Sequence, residues 1–335
     1  MDGGVMATDR ELAASIQQAY GLRVVGVYVL ESSPVRFLAQ VNDERGRTFG
    51  FKGRAPWIRE NEFEVMLGLQ EQAFMCGAPV PEVIRTTTGD LLWQWDGKDM
   101  ALRAWVDGAP LRWRVDDALT LGSTVGAFFQ ATSAMEVPGV RQWTFPTGRS
   151  RWFPDTPHDL HAVTRFLQEV DLASSTVEAI DEILRFAASH AATDELPTGY
   201  LHGDVSPLNA IGAGGQTMLI DLDEMRWGYR IFDVAFGVAT VAGLDQGPDG
   251  SIVRSTWELK RAEAFLSGWS RHTQPTEVEI RVFPWMLLLT LARVVIGELD
   301  LDDPSLATRP GVIASIEALL KLLLAPMPTM QSVLR

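Results

Sequence analysis

Two stretches decide how this chain is read: YLHGDVSPLNA at residues 200–210 and TMLIDLDE at 217–224. In the first, the pair Tyr200-Leu201 runs straight into His202-Gly203-Asp204, and Asn209 follows five positions after the Asp. In the second, an apolar run ends on Asp221, Asp223 and Glu224. Asp, Gly, Pro and Asn all favour turns for conformational reasons, so either piece alone reads as a surface loop. Two strand-like runs that each release carboxylates at their ends, with a carboxamide between, read instead as oxygen ligands gathered around one reaction.

Phosphoryl transfer from a nucleotide needs that set of groups. Its parts are a lysine on the phosphates, a carboxylate that holds the lysine, a base for the attacking hydroxyl and two oxygen ligands for Mg²⁺. Protein kinases draw the last three from H-R-D-x-x-x-x-N and the Asp of D-F-G. The step from Asp204 to Asn209 has the same length, and Asp221 lies twelve residues further on. Magnesium prefers hard oxygen ligands and takes one or two carboxylates beside substrate phosphates, which suits the Asn209 amide and the Asp221 carboxylate.

The string LHGDVSPLNA, followed by LIDLDE and by FDVA at 232–235, resembles the catalytic region of the aminoglycoside phosphotransferase and choline kinase-like family. That resemblance implies an α+β, bilobal protein kinase-like fold, with a β-rich N-terminal lobe and a mostly helical C-terminal lobe. It implies ATP-dependent (or GTP-dependent) phosphorylation of a small-molecule hydroxyl. By the same resemblance Asp204 is the catalytic base, Asn209 and Asp221 are the Mg²⁺ ligands, and Asp223 and Asp233 are supporting acids. His202 is expected to orient the loop and Asp233 to serve as a structural acceptor. The family often has Gly just before the Asn; this chain has Leu208, without glycine's backbone freedom.

The N-terminal third supplies the remaining parts. Strand-like runs at 22–30, 35–43 and 47–53 are rich in β-branched and aromatic residues, and NDERG between the last two is turn chemistry. A helix is predicted over 59–77, ended at Gly77, and two further strands at 90–95 and 100–106 flank an Asp96-Gly97 hairpin turn. Only four lysines accompany twenty-five arginines, so Lys52 inside TFGFKG stands out as a position that needs a compact ammonium. Its partner belongs on the following helix. The register resembles the family's in placing Glu62 on the first turn, on the same face as Met66, with Glu64 the second choice. No G-x-G-x-x-G flap is present; the turn with Ser32 and Ser33 falls where the family's phosphate-facing loop lies. In the family's hinge register, the carbonyl of Ala104 and the amide of Val106 would bind adenine.

From about residue 108 the pattern turns helical, with candidates at 116–135 and 175–192, an irregular Trp/Arg-rich loop at 138–157, and a mostly helical tail over 251–326. The expected division is an N-terminal nucleotide-binding lobe, 1–106, holding an antiparallel sheet plus one helix, and a C-terminal lobe, 107–335. Groups expected near the acceptor are Arg149, Arg151, Trp152, Trp257, Glu258, Trp269 and the acidic run at 298–303.

Composition narrows the function classes. A net charge of −14 argues against a broad nucleic-acid footprint, which needs a clustered basic surface. The single cysteine, Cys76, excludes an internal disulfide and a Cys-rich metal site. The most apolar run, 282–297, is shorter than the ~20 residues a bilayer span requires and contains Pro284 and Arg293. With no basic-then-apolar leader, a cytoplasmic location is expected, with no membrane partner. The acceptor stays open between an aminoglycoside-like antibiotic and a metabolite such as homoserine. A regulatory protein kinase or pseudokinase on the same fold is the alternative class.

Overall fold

The computed structural model describes residues 5–33, 36–55, 58, 60–135, 178, 195–246, 252–254 and 258–298. They belong to two compact units, the first running to Gly108 and the second beginning at Ala109.

The first unit is built on an antiparallel sheet. Its strands are β1 (Val24–Ser32), β2 (Phe37–Asp43), β3 (Thr48–Gly53), β4 (Val83–Ile84), β5 (Trp93–Trp95) and β6 (Lys98–Ala104), in the order β1-β2-β3-β6-β4 with β5 also paired to β6. Strict alternation of buried and half-buried residues along β2 and β3 gives the sheet two distinct faces. Phe37, Ala39, Val41, Phe49 and Phe51 turn to one face, where helix α1 (Val5–Tyr20) lays down Leu12, Ile16 and Tyr20, four residues apart and so on one stripe. Helix α2 (Glu60–Met75) packs Phe63 and Leu67 with Ala101, Val83 and Leu91 in a second core.

Among the described residues the unit therefore holds two helices, not the one expected, because α1 precedes the first strand. The predicted Asp96-Gly97 turn is present between β5 and β6, with φ of 50° and 70° at the two residues, the positive pair that a tight hairpin demands.

In the second unit, helices α3 (Val115–Thr132), α4 (Ile231–Gly243), α5 (Leu259–Ser270) and α6 (Glu277–Glu298) surround short strands. Strands β7 (Ala109–Pro110), β9 (Ala210–Ala213) and β10 (Gln216–Leu219) form one small sheet, β8 (Thr198–Leu201) pairs with β11 (Arg226–Tyr229), and β12 (Leu244–Gln246) pairs with β13 (Ile252–Arg254).

Every residue of α4 is buried. Helices α3 and α5 cross at backbone distance: a Cβ on Gly122 would lie 1.9 Å from the Phe265 carbonyl oxygen, and one on Gly268 2.1 Å from that of Leu119. Helix α6 opens with a reciprocal cap, Thr276 N–H to Glu279 Oε2 at 2.8 Å and Glu279 N–H to Thr276 Oγ1 at 3.2 Å. The same buried Glu279 accepts a two-pronged pair from Arg230, at 2.7 and 2.8 Å, fastening the residue before α4 to the start of α6.

The predicted loop at 138–157, and the helix at 175–192 apart from the helical Glu178, lie outside the described residues, as does the tail beyond 298. Among the described residues no helix is long and apolar enough to cross a membrane.

Candidate active site

The site in the second unit starts from the β8–β11 ladder. Leu201 sits directly opposite Arg226, so the chain leaving β8 and the chain entering β11 share one end of a two-stranded ribbon. One carries His202, Gly203 and Asp204; the other carries Asp221, Asp223 and Glu224.

A carboxylate on α4 holds the first of these segments. Asp233, fully buried in that helix's first turn, accepts the backbone N–H of His202 at 2.6 Å and of Gly203 at 3.0 Å. Burial pushes its carboxyl pKa upward, with the charge of Arg226 and the two N–H donors acting in the opposite direction. Gly203 has φ of +88°, and a Cβ there would meet the Glu224 carbonyl oxygen at 2.4 Å, so the position needs glycine on both counts.

The buried ring of His202 ties the two segments together. Its Nε2 donates to the Ile220 carbonyl at 2.9 Å, and its Nδ1 accepts the Asp204 N–H at 3.2 Å. A carbonyl can only accept and an amide N–H can only donate, so the two bonds together require that tautomer. Ile220 in turn donates its N–H to the Asn209 carbonyl at 2.9 Å, which places the residue before Asp221 between both ends of the Asp204 loop.

The loop closes through a 3₁₀ turn at Pro207–Asn209. Ser206 caps it, with its side-chain oxygen accepting the Asn209 N–H at 3.3 Å. Leu208 takes its place in that turn without a left-handed φ, so the geometry here does not call for the glycine common in the family. Asn209 Nδ2 donates to the Asp204 carbonyl at 3.0 Å and to Asp204 Oδ2 at 2.8 Å. With the amide nitrogen facing two acceptors, Oδ1 is the atom that Asn209 can present to a cation.

Asp221 is exposed and has φ of +61°, one of two non-glycine residues with positive φ among those described. Backbone conformations of that kind, costly for a side-chain-bearing residue, concentrate at functional sites. Asn209 and Asp221 each carry a hard oxygen of the kind magnesium accepts when phosphates and water complete its shell. Among the described residues no group of three or more His, Cys, Asp or Glu side chains is placed to hold a metal by itself.

The expected nucleotide residues lie in the first unit. Lys52 is half-buried on β3, opposite Ala101 of β6, and so on the sheet face against which α2 packs. Glu62, beside the buried Phe63, is half-buried, whereas Glu64 is exposed.

Ser32 is exposed at the end of β1. The Ser33 N–H and hydroxyl both close their own turn: the N–H donates to the Arg36 carbonyl at 2.8 Å, and Oγ accepts the Arg36 N–H at 2.9 Å. At the end of β6, Ala104 donates its N–H to the Glu82 carbonyl at 2.8 Å while Trp105 bonds back to Thr48 at 3.0 Å. The Ala104 carbonyl therefore points away from β3, and Val106, half-buried, follows two residues on.

Of the groups expected near the acceptor, Arg149, Arg151, Trp152, Trp257 and residues 299–303 lie outside the described residues. Glu258 is exposed ahead of α5, and Trp269 is fully buried, a core residue of α5. The sequence reading did not single out Arg226, and it gave Glu224, at the end of the Asp221 segment, no role; both lie against Gly203, and their signal was only an acid and a base two residues apart.

Together these features describe a protein kinase-like fold in which the loop from His202 to Asn209 is bonded to the segment that carries Asp221. A family model described as "Phosphotransferase enzyme family", APH, matches residues 52–271. The chain belongs to that family and is a phosphotransferase with an alcohol acceptor.

Solved structures of the same fold cover nearly the whole chain. An amicoumacin kinase in complex with AMP-PNP, Ca²⁺ and Ami is similar at 15% identity and a TM-score of 0.66, over 98% of this chain and 97% of that one. A microcompartment-associated aminopropanol kinase is similar at 15% identity and 0.69, over 94% and 96%. An aminoglycoside phosphotransferase from Alicyclobacillus acidocaldarius is similar at 16% identity and 0.62, over 95% and 96%. No curated protein matches the chain.

Proposed function

We propose that the chain transfers the γ-phosphoryl group of ATP, or of GTP, to a hydroxyl of a small molecule, either an antibiotic of aminoglycoside type or a small metabolic amino alcohol. The observation that carries the reading is the Asn209 amide, bonded to both the carbonyl and the carboxylate of Asp204. In this reading the contact holds the base, leaves its second oxygen for the acceptor hydroxyl, and leaves Asn209 Oδ1 as the atom that would hold a metal.

In this reading Asp204 orients the hydroxyl and takes its proton as the oxygen attacks phosphorus. Lys52, held by Glu62, binds phosphate oxygens, Ser32 faces the same phosphates, and the Ala104 carbonyl and Val106 N–H hold the base of the nucleotide. Asn209 and Asp221 hold Mg²⁺, which when bound neutralises charge on the transferring phosphates. His202 and Asp233 keep the loop in shape, and Asp223 supports the Asp221 segment. Catalysis of this kind rests on positioning and charge stabilisation, so a loop held by bonds on both flanks supports it. A cytoplasmic location fits such a reaction, since its nucleotide donor is there.

The choice between antibiotic and metabolite is a question for substrates. The purified chain with Mg-ATP, screened for ADP release against aminoglycosides, peptide antibiotics, aminopropanol, choline, homoserine and hexosamines, is expected to respond to at least one. The product should gain the mass of one phosphoryl group. Nucleotide binding without transfer to any of them would favour a pseudokinase.

A further inference from the structure

We propose that Arg226 is a positioning residue for phosphoryl transfer, clamping the metal-side segment against the base loop through Glu224. The inference rests on the phosphotransferase reading above and adds to it a residue outside the family's motif.

Arg226 Nη1 donates to the Glu224 backbone oxygen at 3.0 Å and to Glu224 Oε2 at 3.2 Å, so one nitrogen holds both the main chain and the side chain of its neighbour. Both side chains are largely out of solvent, 11% exposed for Arg226 and 20% for Glu224, which separates this pair from the weak ion pairs of open surfaces. The guanidinium also lies over the Phe232 ring, 5.2 Å from its centroid, which fixes its plane.

What the clamp presses against is Gly203. A Cβ on that glycine would come within 2.8 Å of Arg226 Nη1 and 2.4 Å of the Glu224 oxygen, so the loop backbone rests directly on the pair. Gly203 is also held by Asp233, and Phe232 is the residue before that aspartate. The backbone one residue before Asp204 is thus in contact with both an acid on α4 and a base on β11. Arg226 also faces Leu201 across the ribbon, where the two reactive segments diverge. This contact region adds to the His202–Ile220 and Ile220–Asn209 bonds in setting where Asp204 lies relative to Asp221, and a lost clamp shifts the base relative to the nucleotide without removing any group that touches it.

The test uses the full-length chain, with Mn²⁺–ADP binding by titration calorimetry and slow phosphoryl transfer from Mg-ATP to water as probes that need no identified acceptor. Arg226→Met keeps the contact with Phe232 and removes the donor. It is expected to lower the rate per folded molecule ~10- to 100-fold, with Mn²⁺–ADP affinity changed no more than about threefold. Arg226→Lys, which can still reach the Glu224 oxygens, is expected to recover most of the rate.

A rate for Arg226→Met within about twofold of the parent, in protein merely less stable, would overturn the inference while leaving the phosphotransferase reading intact. A parent chain that neither binds Mn²⁺–ADP nor hydrolyses ATP would sink both. Should Arg226→Met not fold, Glu224→Ala probes the clamp from the other side. It is expected to lower the same rate, and an unchanged rate there would equally overturn the inference.

Discussion

The carboxylate of Asp233 and the backbone of Gly203 are bonded at 3.0 Å across thirty residues of sequence, with the His202 N–H on the other carboxylate oxygen at 2.6 Å. Asp233→Asn replaces one acceptor oxygen with an amide that also donates, so one of the two buried N–H groups loses its partner. A buried donor left in that state costs about 1–3 kcal/mol. Thermal denaturation should show a loss of that size, and transfer should fall beyond what the folded fraction accounts for. A variant as stable and as active as the parent would show that the two bonds do not shape the loop.

The crossing of α3 and α5 has no room for a methyl group at Gly122, where Cβ would lie 1.9 Å from the Phe265 carbonyl. Backbone cannot swing aside as a side chain can, so Gly122→Ala should destabilise the second unit by about 3 kcal/mol or more, at or above the usual range for overpacking. Gly199→Ala, where nothing lies within 4 Å, serves as the control and should change stability by less than about 0.5 kcal/mol. Calorimetric melting of the two variants checks the contrast.

At the β2–β3 turn, burial alone would raise the Asp43 carboxyl pKa. The Arg47 N–H and guanidinium, together with the Arg45 N–H, outweigh it and hold the pKa below its ordinary value. A carboxylate depressed in the folded state contributes stability above its unfolded pKa of ~3.9 and loses it as pH falls through the folded value. The melting temperature of Asp43→Asn should therefore lie below the parent's at neutral pH, with the gap closing as pH drops under about 4. A gap independent of pH would assign the effect to packing instead.

Asp221 holds a left-handed backbone, φ +61°, that glycine adopts without strain. Asp221→Gly should leave stability within about 1 kcal/mol of the parent, since relief of strain offsets the added freedom of the unfolded chain. Transfer should nonetheless be lost, together with Mn²⁺ binding in the presence of ADP. Retained Mn²⁺ affinity would move the metal role to another residue.

Much of this architecture was legible in the residues. β-Branched and aromatic residues in 35–43 and 47–53 announced β2 and β3, and the Asp96-Gly97 pair announced a turn whose positive φ values few other residues accept. Helix α1 was missed although Leu12, Ile16 and Tyr20 repeat at helical spacing, because its low overall apolar content hid a narrow stripe that only the sheet face makes meaningful.

In the site, the linear spacing of Asp204, Asn209 and Asp221 was visible, whereas, apart from the Asn209 Nδ2 to Asp204 Oδ2 bond, the bonds that hold these segments together run through main-chain atoms. Ile220 offers its carbonyl to His202 and its N–H to Asn209, and no side-chain pattern encodes that. Arg226 was silent for the same reason: half of its grip is on a backbone oxygen. Ser33 falls where the family's phosphate-facing loop lies, yet its polar groups are bound within its own turn.

The most direct test of the account is the transfer rate of Asp204→Asn with a responsive acceptor and Mg-ATP, measured beside its nucleotide affinity. Loss of the base should cut transfer at least ~10²-fold, within the range general-base catalysis contributes, while ATP still binds with parental affinity. Transfer within a few-fold of the parent would contradict the assignment of Asp204 as the base and, with it, the reading of the loop that carries it.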